Sequence, residues 1–120
     1  MRIEDIPMIE QEAIRMLLEG SGDLQCALRR QFESILAVQR TQSPAGVYVV
    51  FELNGCVEGL EGKPSFHLGD VFARSKNCEE IGFIIFIREG VLEYLEGYCY
   101  GDVYPHYSGC DYSIYRQSPG

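Results

Sequence analysis

The strongest hydrophobic pattern in the chain consists of two apolar runs, at residues 81–87 and 91–100, separated by Arg88, Glu89 and Gly90. Both runs are rich in β-branched and aromatic residues, and a glycine-containing turn between such runs predicts a β-hairpin. The first run is apolar on both faces of a strand, with Phe83, Ile85 and Ile87 on one face and Ile84 and Phe86 on the other. A strand of this kind is predicted to lie in the interior of a sheet.

The register of this hairpin follows from the length of its turn. A two-residue turn places Arg88 opposite Val91 and Phe83 opposite Glu96. In the second strand, one face then carries Leu92, Tyr94 and Glu96, and the other carries Val91, Glu93 and Leu95. Glutamate adopts a positive φ less readily than asparagine or aspartate. A bulged turn of three or four residues, which shifts the register by one, is therefore the alternative.

Glu93 and Glu96 are predicted on opposite faces of the second strand under either register, because their separation is odd. One of these carboxylates therefore lies among apolar side chains, where it needs a cation or hydrogen-bond donors, or else holds its proton. Such a group would act as a general acid or base or would anchor a polar ligand. The structural alternative, which we favour, is a carboxylate held by a tyrosine hydroxyl, by backbone amides or by an arginine such as Arg74.

The remaining pattern predicts two helices followed by two further strands. Apolar stripes at helical spacing indicate helices at about residues 5–19, with Asp5 as N-cap, and 24–40, with Asp23 as N-cap. Strands are predicted at about residues 47–53 and 65–73, the second bent at Gly69-Asp70, in addition to 81–88 and 91–100. Residues 41–46 and 56–64 are predicted loops.

Helices that precede strands predict a single α+β domain over residues 1–120. The predicted architecture is an antiparallel helix pair on one face of a mostly antiparallel sheet of four to five strands in a meander, with a Tyr-rich C-terminal tail. The opposite face of the sheet is predicted to be only partly covered.

Seven of the eight tyrosines lie at or after position 94, interleaved with glycine, proline, histidine and aspartate. Such clusters are typical of recognition surfaces, since tyrosine offers a large, rigid contact area with a polar tip. The candidate binding residues are Glu93, Glu96, Tyr98, Tyr100, Asp102, Tyr104, His106 and Tyr107. The structural alternative is that the tyrosines cover the second face of the sheet.

The chain lacks the familiar motifs of catalysis and cofactor binding: a Gly-x-Ser-x-Gly elbow, a His-Glu-x-x-His pair, a phosphate loop and a dinucleotide fingerprint. Glu96 with His106, or Cys99 with His106, are the acid–base or nucleophile pairs to consider. No cofactor is predicted. The five cysteines are odd in number, irregularly spaced and free of Cys-x-x-Cys pairs, which predicts free thiols and no metal site.

A formal net charge of −8 disfavours nucleic acid as a partner, because phosphates are repelled. No apolar run approaches the roughly 18 to 20 residues of a membrane span. The N-terminus does not show the basic start and apolar stretch of a signal peptide. We therefore expect a cytoplasmic protein that binds neither nucleic acid nor membrane.

Two short motifs follow each other in the second half of the chain. Residues 82–86 read Gly-Phe-Ile-Ile-Phe, and residues 95–100 read Leu-Glu-Gly-Tyr-Cys-Tyr, with Pro105 beyond them. This arrangement resembles a family of small uncharacterised bacterial proteins, which begin with a helical segment and end in a Gly-Phe-x-x-Phe strand, a Leu-Glu-Gly-Tyr-x-Tyr run and a proline. The resemblance covers about a third of the chain. It implies a small bacterial accessory domain and no particular activity.

The sequence thus predicts a non-enzymatic, acidic binding protein whose Tyr-rich surface engages a basic protein, such as a toxin nuclease, in the manner of an immunity protein. One alternative is a small enzyme or ligand-binding domain with Glu96 in a pocket between sheet and tail. A second alternative is a homodimeric accessory domain. A pocket requires concavity with convergent polar groups, whereas a protein-binding face is broad and exposed.

Overall fold

The computed structural model describes residues 1–117, which form one sheet of six antiparallel strands and two α-helices. A 3-10 turn at Ile3–Asp5 precedes helices α1 (Met8–Leu17) and α2 (Asp23–Glu33). The strands are β1 (Ile35–Ser43), β2 (Gly46–Leu53), β3 (Phe66–Arg74), β4 (Ile81–Arg88), β5 (Val91–Cys99) and β6 (Ser113–Arg116). The predicted α+β class is confirmed, but the sheet has six strands rather than four to five. Within the described residues, neither α-helix has the length and hydrophobicity that a membrane crossing requires.

The strands lie in the order β1-β2-β5-β4-β3-β6. β4 is an interior strand, as its two apolar faces predicted. The predicted meander is correct for β3, β4 and β5 but wrong for β2, which pairs with β5. The long loop between β2 and β3 makes this possible because it carries the chain past the end of the β4–β5 hairpin. There the backbone N–H of Leu60 donates a hydrogen bond of 2.8 Å to the carbonyl of Gly90.

The helices cover one face of the sheet, which we call the inner face. Helix α1 contacts β3, β4 and β6, whereas α2 contacts β5. The hydrophobic core lies between these two layers and includes Ile14, Leu17, Leu28, Val47, Val49, Phe51, Phe83, Ile85, Ile87 and Leu95. We call the opposite side the outer face, and neither α-helix lies on it.

The second helix is shorter than predicted, and the residues that follow it form β1. Val38 is buried on the inner face, and Arg40 and Gln42 follow it at the two-residue spacing of a strand. A strand is recognised in a sequence by apolar residues at every second position. Because Arg40 and Gln42 are polar, the inward positions of β1 do not show this pattern. The predicted loop at residues 41–46 is accordingly wrong, since β1 continues to Ser43 and β2 begins at Gly46.

Both helices begin differently from the prediction. The chain is extended at Ile6 and Pro7, so α1 starts at Met8. Asp5 belongs to the 3-10 turn, where its carboxylate accepts a hydrogen bond of 3.2 Å from the backbone N–H of Arg2. Asp23 is the first helical residue of α2 rather than its N-cap. It still lies at the end of the helix dipole that favours negative charge.

The β4–β5 turn has two residues, as predicted, and Arg88 lies opposite Val91. Glu89 and Gly90 both adopt left-handed conformations, with φ values of 50° and 80°, which are typical of a type I′ turn. The backbone N–H of Glu89 donates to the hydroxyl of Ser65 at 2.9 Å, and the N–H of Gly90 donates to the carbonyl of Pro64 at 2.7 Å. These bonds hold the glutamate in a conformation that it rarely adopts.

A β-bulge one residue beyond Leu92 shifts the register of the rest of the hairpin by one, so that Phe83 pairs with Gly97 and Ile84 pairs with Glu96. The predicted pairing of Phe83 with Glu96 is therefore wrong. The extra residue lets both Leu92 and Leu95 reach the core. It also places Tyr94 and Glu96 on the outer face, whereas the predicted pairing put Glu96 on the same face as Phe83.

Glu93 and Glu96 consequently lie on the same side of the sheet, and the prediction of opposite faces is wrong. Glu93 forms an ion pair of 3.7 Å with Arg88, which extends from the outer face. The odd separation of the two glutamates does not place them on opposite faces, because Glu93 is itself the extra residue of the bulge, where the alternation of faces is interrupted.

The prediction of free thiols is wrong for Cys78 and Cys110. These residues form a disulfide with a Cα–Cα distance of 6.1 Å and a sequence separation of 32. It links the β3–β4 connection to the segment that leads into β6. Cys26, Cys56 and Cys99 are free. The parity and spacing of the cysteines gave no sign of this pair, because neither cysteine belongs to a recognisable motif.

Candidate functional site: the outer face of the sheet

The outer face exposes an apolar and aromatic surface that spans the middle of the sheet. Tyr48 and Val50 of β2 are 42% and 43% exposed, respectively, although β2 is an interior strand of the sheet. We call the central part of this surface the outer patch: Tyr48, Val50, Ile84, Phe86, Tyr94, Glu96 and Tyr98. The patch arises because β2 alternates inward and outward residues while β4 is apolar on both sides.

Aromatic rings form a continuous row across four neighbouring strands of the outer face. The ring of Tyr94 in β5 stacks on that of Phe86 in β4, with centroids 4.5 Å apart. Tyr48 in β2 lies 5.8 Å from Tyr94, and His67 in β3 lies 5.6 Å from Phe86. Aromatic pairs at such distances stabilise the sheet and fix each other's orientation. The row is therefore a rigid surface.

Glu96 lies inside the outer patch, between Tyr48 on β2 and Ile84 on β4. The hydroxyl of Tyr48 donates a hydrogen bond of 2.9 Å to its Oε1 atom. No basic side chain of residues 1–117 forms an ion pair with Glu96, whereas Arg88 and Arg74 on the same side of the sheet are paired with Glu93 and Glu80. Glu96 is thus a negative charge in aromatic surroundings that the described part of the chain does not neutralise.

The negative charge of Glu96 affects the tyrosines around it. Its hydrogen bond and charge raise the pKa of Tyr48. Burial raises the pKa of Tyr94, and the charges of Glu96 and Glu93 raise it further. Tyr98 lies over Gly82, where any Cβ atom would overlap the tyrosine ring. Burial and the neighbouring Tyr100, together with Glu96, raise the pKa of Tyr98 to about 12.

Two of the predicted binding tyrosines, Tyr104 and Tyr107, lie on the inner side instead. The hydroxyl of Tyr107 donates a hydrogen bond of 2.6 Å to Oε2 of Glu10, a residue of α1 that is 0% exposed. Because Tyr107 uses its one hydroxyl hydrogen there, Tyr104 must be the donor in the 2.7 Å bond between the two hydroxyls. Burial raises the pKa of both tyrosines.

Arg40 completes this buried network, which we call the Glu10 network. Its Nε and Nη2 atoms donate to the two carboxylate oxygens of Glu10 at 2.8 and 2.6 Å. Nη2 also donates to Oε1 of Gln42 at 2.9 Å, and Gln42 in turn donates to the carbonyl of Pro105 at 3.1 Å. The carboxylate of α1 thus accepts hydrogen bonds from side chains of β1 and of the C-terminal segment. These contacts support a structural role.

The other predicted site residues, Tyr100, Asp102 and His106, do not connect the outer patch and the Glu10 network into one site. Tyr100 is 83% exposed and meets the edge of Tyr98 at 5.7 Å. Asp102 is exposed, and His106 is exposed beside Gln42, with 3.3 Å between Nδ1 and Nε2. The predicted surface is therefore divided: Glu93, Glu96 and Tyr98 lie on the outer face, and Tyr104 and Tyr107 point inward.

Sequence reasoning missed the residues that complete both groups. The sequence pattern does indicate that Tyr48 and Phe86 point to the outer face, because each alternates with residues that point to the helices. No pattern indicates the role of Glu10 or Arg40, since an acidic residue in the first turn of a helix is ordinary. Arg40 also lay in a segment predicted as helix.

Two cavities lie away from the outer patch. A groove of about 690 Å³ separates α2 from the loop at residues 56–64, and a smaller hollow of about 330 Å³ lies between the start of α1 and residues 107–114. Glu96 lines neither of them. Within residues 1–117, no three His, Cys, Asp or Glu side chains come together as a metal site.

Comparison of the chain with protein-family models, with curated proteins and with solved structures found no match.

The buried tyrosines predict an unusual alkaline titration. The pKa of Tyr98 is about 12 in the folded protein, and those of Tyr104 and Tyr107 are also raised, whereas an unfolded tyrosine has a pKa of about 10. Because the folded state holds these protons more tightly, this contribution to stability is complete below pH of about 10 and is lost as the pH rises further. Absorbance at the tyrosinate band should show these three side chains ionising late, in step with unfolding.

The matched control is the same titration in denaturing urea, where all eight tyrosines should ionise together. If the native curve coincides with the curve in urea, the three tyrosines are solvated and the described burial is wrong.

Proposed function

We propose that the protein is a non-enzymatic binding protein that presents the outer face of its sheet to a basic protein partner. The first support is the aromatic row, which remains uncovered while the helices occupy the inner face. Exposed clusters of Tyr and Phe are enriched at protein interfaces, because they offer large apolar contacts together with polar tips. A row spread over four strands suits a broad partner better than a small ligand.

The charge distribution supports a basic partner. The protein carries a net charge of −8. On the outer face, Arg74 and Arg88 are each paired with a carboxylate, but Glu52 and Glu96 have no ion pair within residues 1–117. An acidic face of this kind speeds the approach of a basic protein and repels acidic ones. A small acidic binder is also what an immunity protein that blocks a basic toxin nuclease requires.

The observation that carries the proposal is the position of Glu96, an unneutralised carboxylate within an exposed aromatic surface. An enzyme would place such a group in a concave site with convergent polar groups. The surroundings of Glu96 are instead strand residues on an open sheet face, and the two cavities have other linings. These features favour binding over catalysis.

A charge-reversal pair tests the proposal. Glu96→Lys changes the charge of the outer face, and Glu33→Lys makes the same change at an exposed position at the end of α2. Immobilised wild-type protein would be used to capture a partner from a lysate of the native organism, and the purified partner would then be titrated by calorimetry. We expect a basic partner whose Kd weakens more than about tenfold with Glu96→Lys and stays unchanged with Glu33→Lys.

Equal Kd values for the two variants would overturn the proposal, because the outer face would then be irrelevant to binding. Analytical ultracentrifugation of the wild-type protein and of Glu96→Lys gives the oligomeric state and is a second test. A homodimer that Glu96→Lys dissociates would mean that the outer face binds a second copy of this chain instead of a basic protein.

A further inference from the structure

We propose that Glu96, together with Tyr48, Tyr94 and Tyr98, is a binding site for a single arginine side chain of the partner. This inference rests on the proposed function and names the group that the outer face would recognise. It starts from the unused hydrogen-bonding capacity of Glu96. A carboxylate accepts about four hydrogen bonds, and within residues 1–117 the side chain of Glu96 receives one from a side chain, the Tyr48 hydroxyl at 2.9 Å.

The three tyrosines surround this carboxylate on the outer face. Tyr94 and Tyr98 lie two residues before and after Glu96 on β5, so all three side chains emerge on the same face. Tyr48 lies directly across on β2. The stacking of Tyr94 on Phe86, at 4.5 Å, holds one wall of the site in place. A cation that pairs with Glu96 would therefore also lie against aromatic rings.

A guanidinium group fits these surroundings better than an ammonium group. It is planar, stacks on aromatic faces, pairs with a carboxylate through two parallel hydrogen bonds and is weakly hydrated. Ile84, on the fourth side of Glu96, offers an apolar surface for the methylene stem of an arginine. A lysine ammonium would have to give up a stronger hydration shell on an open face that supplies one carboxylate.

The arginines of the same face do not fill the site. Arg88 is engaged with Glu93 at 3.7 Å, and Arg74 is engaged with Glu80 at 3.0 Å and lies over the ring of Tyr115 at 5.0 Å. The contact between Arg74, Glu80 and Tyr115 shows the same combination of guanidinium, carboxylate and tyrosine ring within this protein. At Glu96 the carboxylate and the rings are present, and the cation would come from the partner.

The test uses three blocked amino acids as probes: acetyl-arginine methylamide, its neutral isostere acetyl-citrulline methylamide, and acetyl-lysine methylamide. Each is titrated into the full chain while NMR follows the side-chain carboxylate carbon of Glu96 and the ring signals of Tyr94 and Tyr98. We expect saturable shifts with the arginine probe and none with citrulline at the same concentration. Because Glu96→Gln removes the negative charge that the guanidinium would pair with, it should weaken arginine binding about tenfold or more, and Glu33→Gln should not.

Equal responses to arginine and citrulline, or a response that survives Glu96→Gln, would overturn the arginine site. A lysine probe that binds as tightly as arginine would overturn the choice of guanidinium. The result of this titration can be distinguished from the result of the partner-binding test of the proposed function. If the arginine probe fails while Glu96→Lys still abolishes partner binding, the outer face binds the partner without an arginine at this point. If Glu96→Lys leaves partner binding intact, the proposed function itself fails.

Discussion

Replacing Glu10 with alanine is expected to lower the free energy of unfolding by about 3 to 5 kcal/mol, the usual cost of removing one partner of a buried ion pair. The carboxylate of Glu10 is fully buried and accepts hydrogen bonds from Arg40 at 2.8 and 2.6 Å and from Tyr107 at 2.6 Å. Its removal would leave the guanidinium of Arg40, whose side chain is 17% exposed, without a counter-charge. Urea unfolding followed by circular dichroism measures the effect.

The control is Glu12→Ala, which removes an exposed carboxylate from the same helix and should change the free energy of unfolding by no more than about 0.5 kcal/mol. If Glu10→Ala does not fold, Glu10→Gln keeps the shape of the side chain and still removes the charge. Tyr107→Phe removes one bond to the carboxylate and the acceptor of the Tyr104 hydroxyl, and it should cost at least about 1.5 to 3 kcal/mol. A Glu10 variant as stable as the Glu12 control would mean that the network does not hold the fold together.

The Glu10 network also explains why the tyrosines did not form one surface. The C-terminal segment that follows β5 is anchored to α1 and β1 through Tyr107 and Gln42, so Tyr104 and Tyr107 are drawn inward while Tyr100 stays exposed. The sequence shows that the tyrosines are concentrated near its end, but it does not show the direction of each side chain. Direction depends on which tyrosine finds a buried partner, and that partner, Glu10, is about a hundred residues away in the sequence.

The hairpin of β4 and β5 was predictable because its signal is local. The uninterrupted apolar run at residues 83–87 of β4 required cover on both faces, and the turn residues needed only their neighbours to define them. The bulge next to Leu92 was not predictable, because it arises when both Leu92 and Leu95 are buried in the same core. A one-residue shift exchanges the faces of every residue beyond it. This is why Glu96 was predicted on the same face as Phe83, whereas it lies on the face of Ile84.

Strand β1 illustrates the opposite case, in which long-range contacts decide the local structure. Its inward residues include Arg40 and Gln42, which no hydrophobic pattern would place beneath a helix. They are acceptable there because Glu10 supplies the opposite charge and Pro105 supplies a carbonyl. The short strand β6 was missed for a related reason. Its four residues form a strand because the exposed edge of β3 is available to pair with them.

Removal of the disulfide, through Cys78→Ser together with Cys110→Ser, is expected to lower the free energy of unfolding by about 3 to 4 kcal/mol. The bond closes a loop with a sequence separation of 32, and the chain-entropy model gives a cost of this size for restoring the freedom of such a loop in the unfolded chain. Thermal or urea unfolding of the oxidised wild-type protein and the double variant measures the difference. Cys56→Ser, which changes an exposed free thiol, is the matched control and should have almost no effect.

The loss of stability should be greatest at β6, because the disulfide fixes the segment that leads into this short edge strand. It pairs with β3 over four residues, and beyond it the N–H of Gln117 donates to the carbonyl of Asp70 at 2.8 Å. A strand of four residues at the edge of a sheet is typical of a segment that opens locally. Hydrogen exchange should therefore accelerate at residues 113–117 in the double variant while the β4–β5 hairpin keeps its protection. Unchanged exchange at β6 would show that the pairing with β3 holds the strand without the disulfide, and an equal loss in all strands would show that β6 unfolds only together with the core.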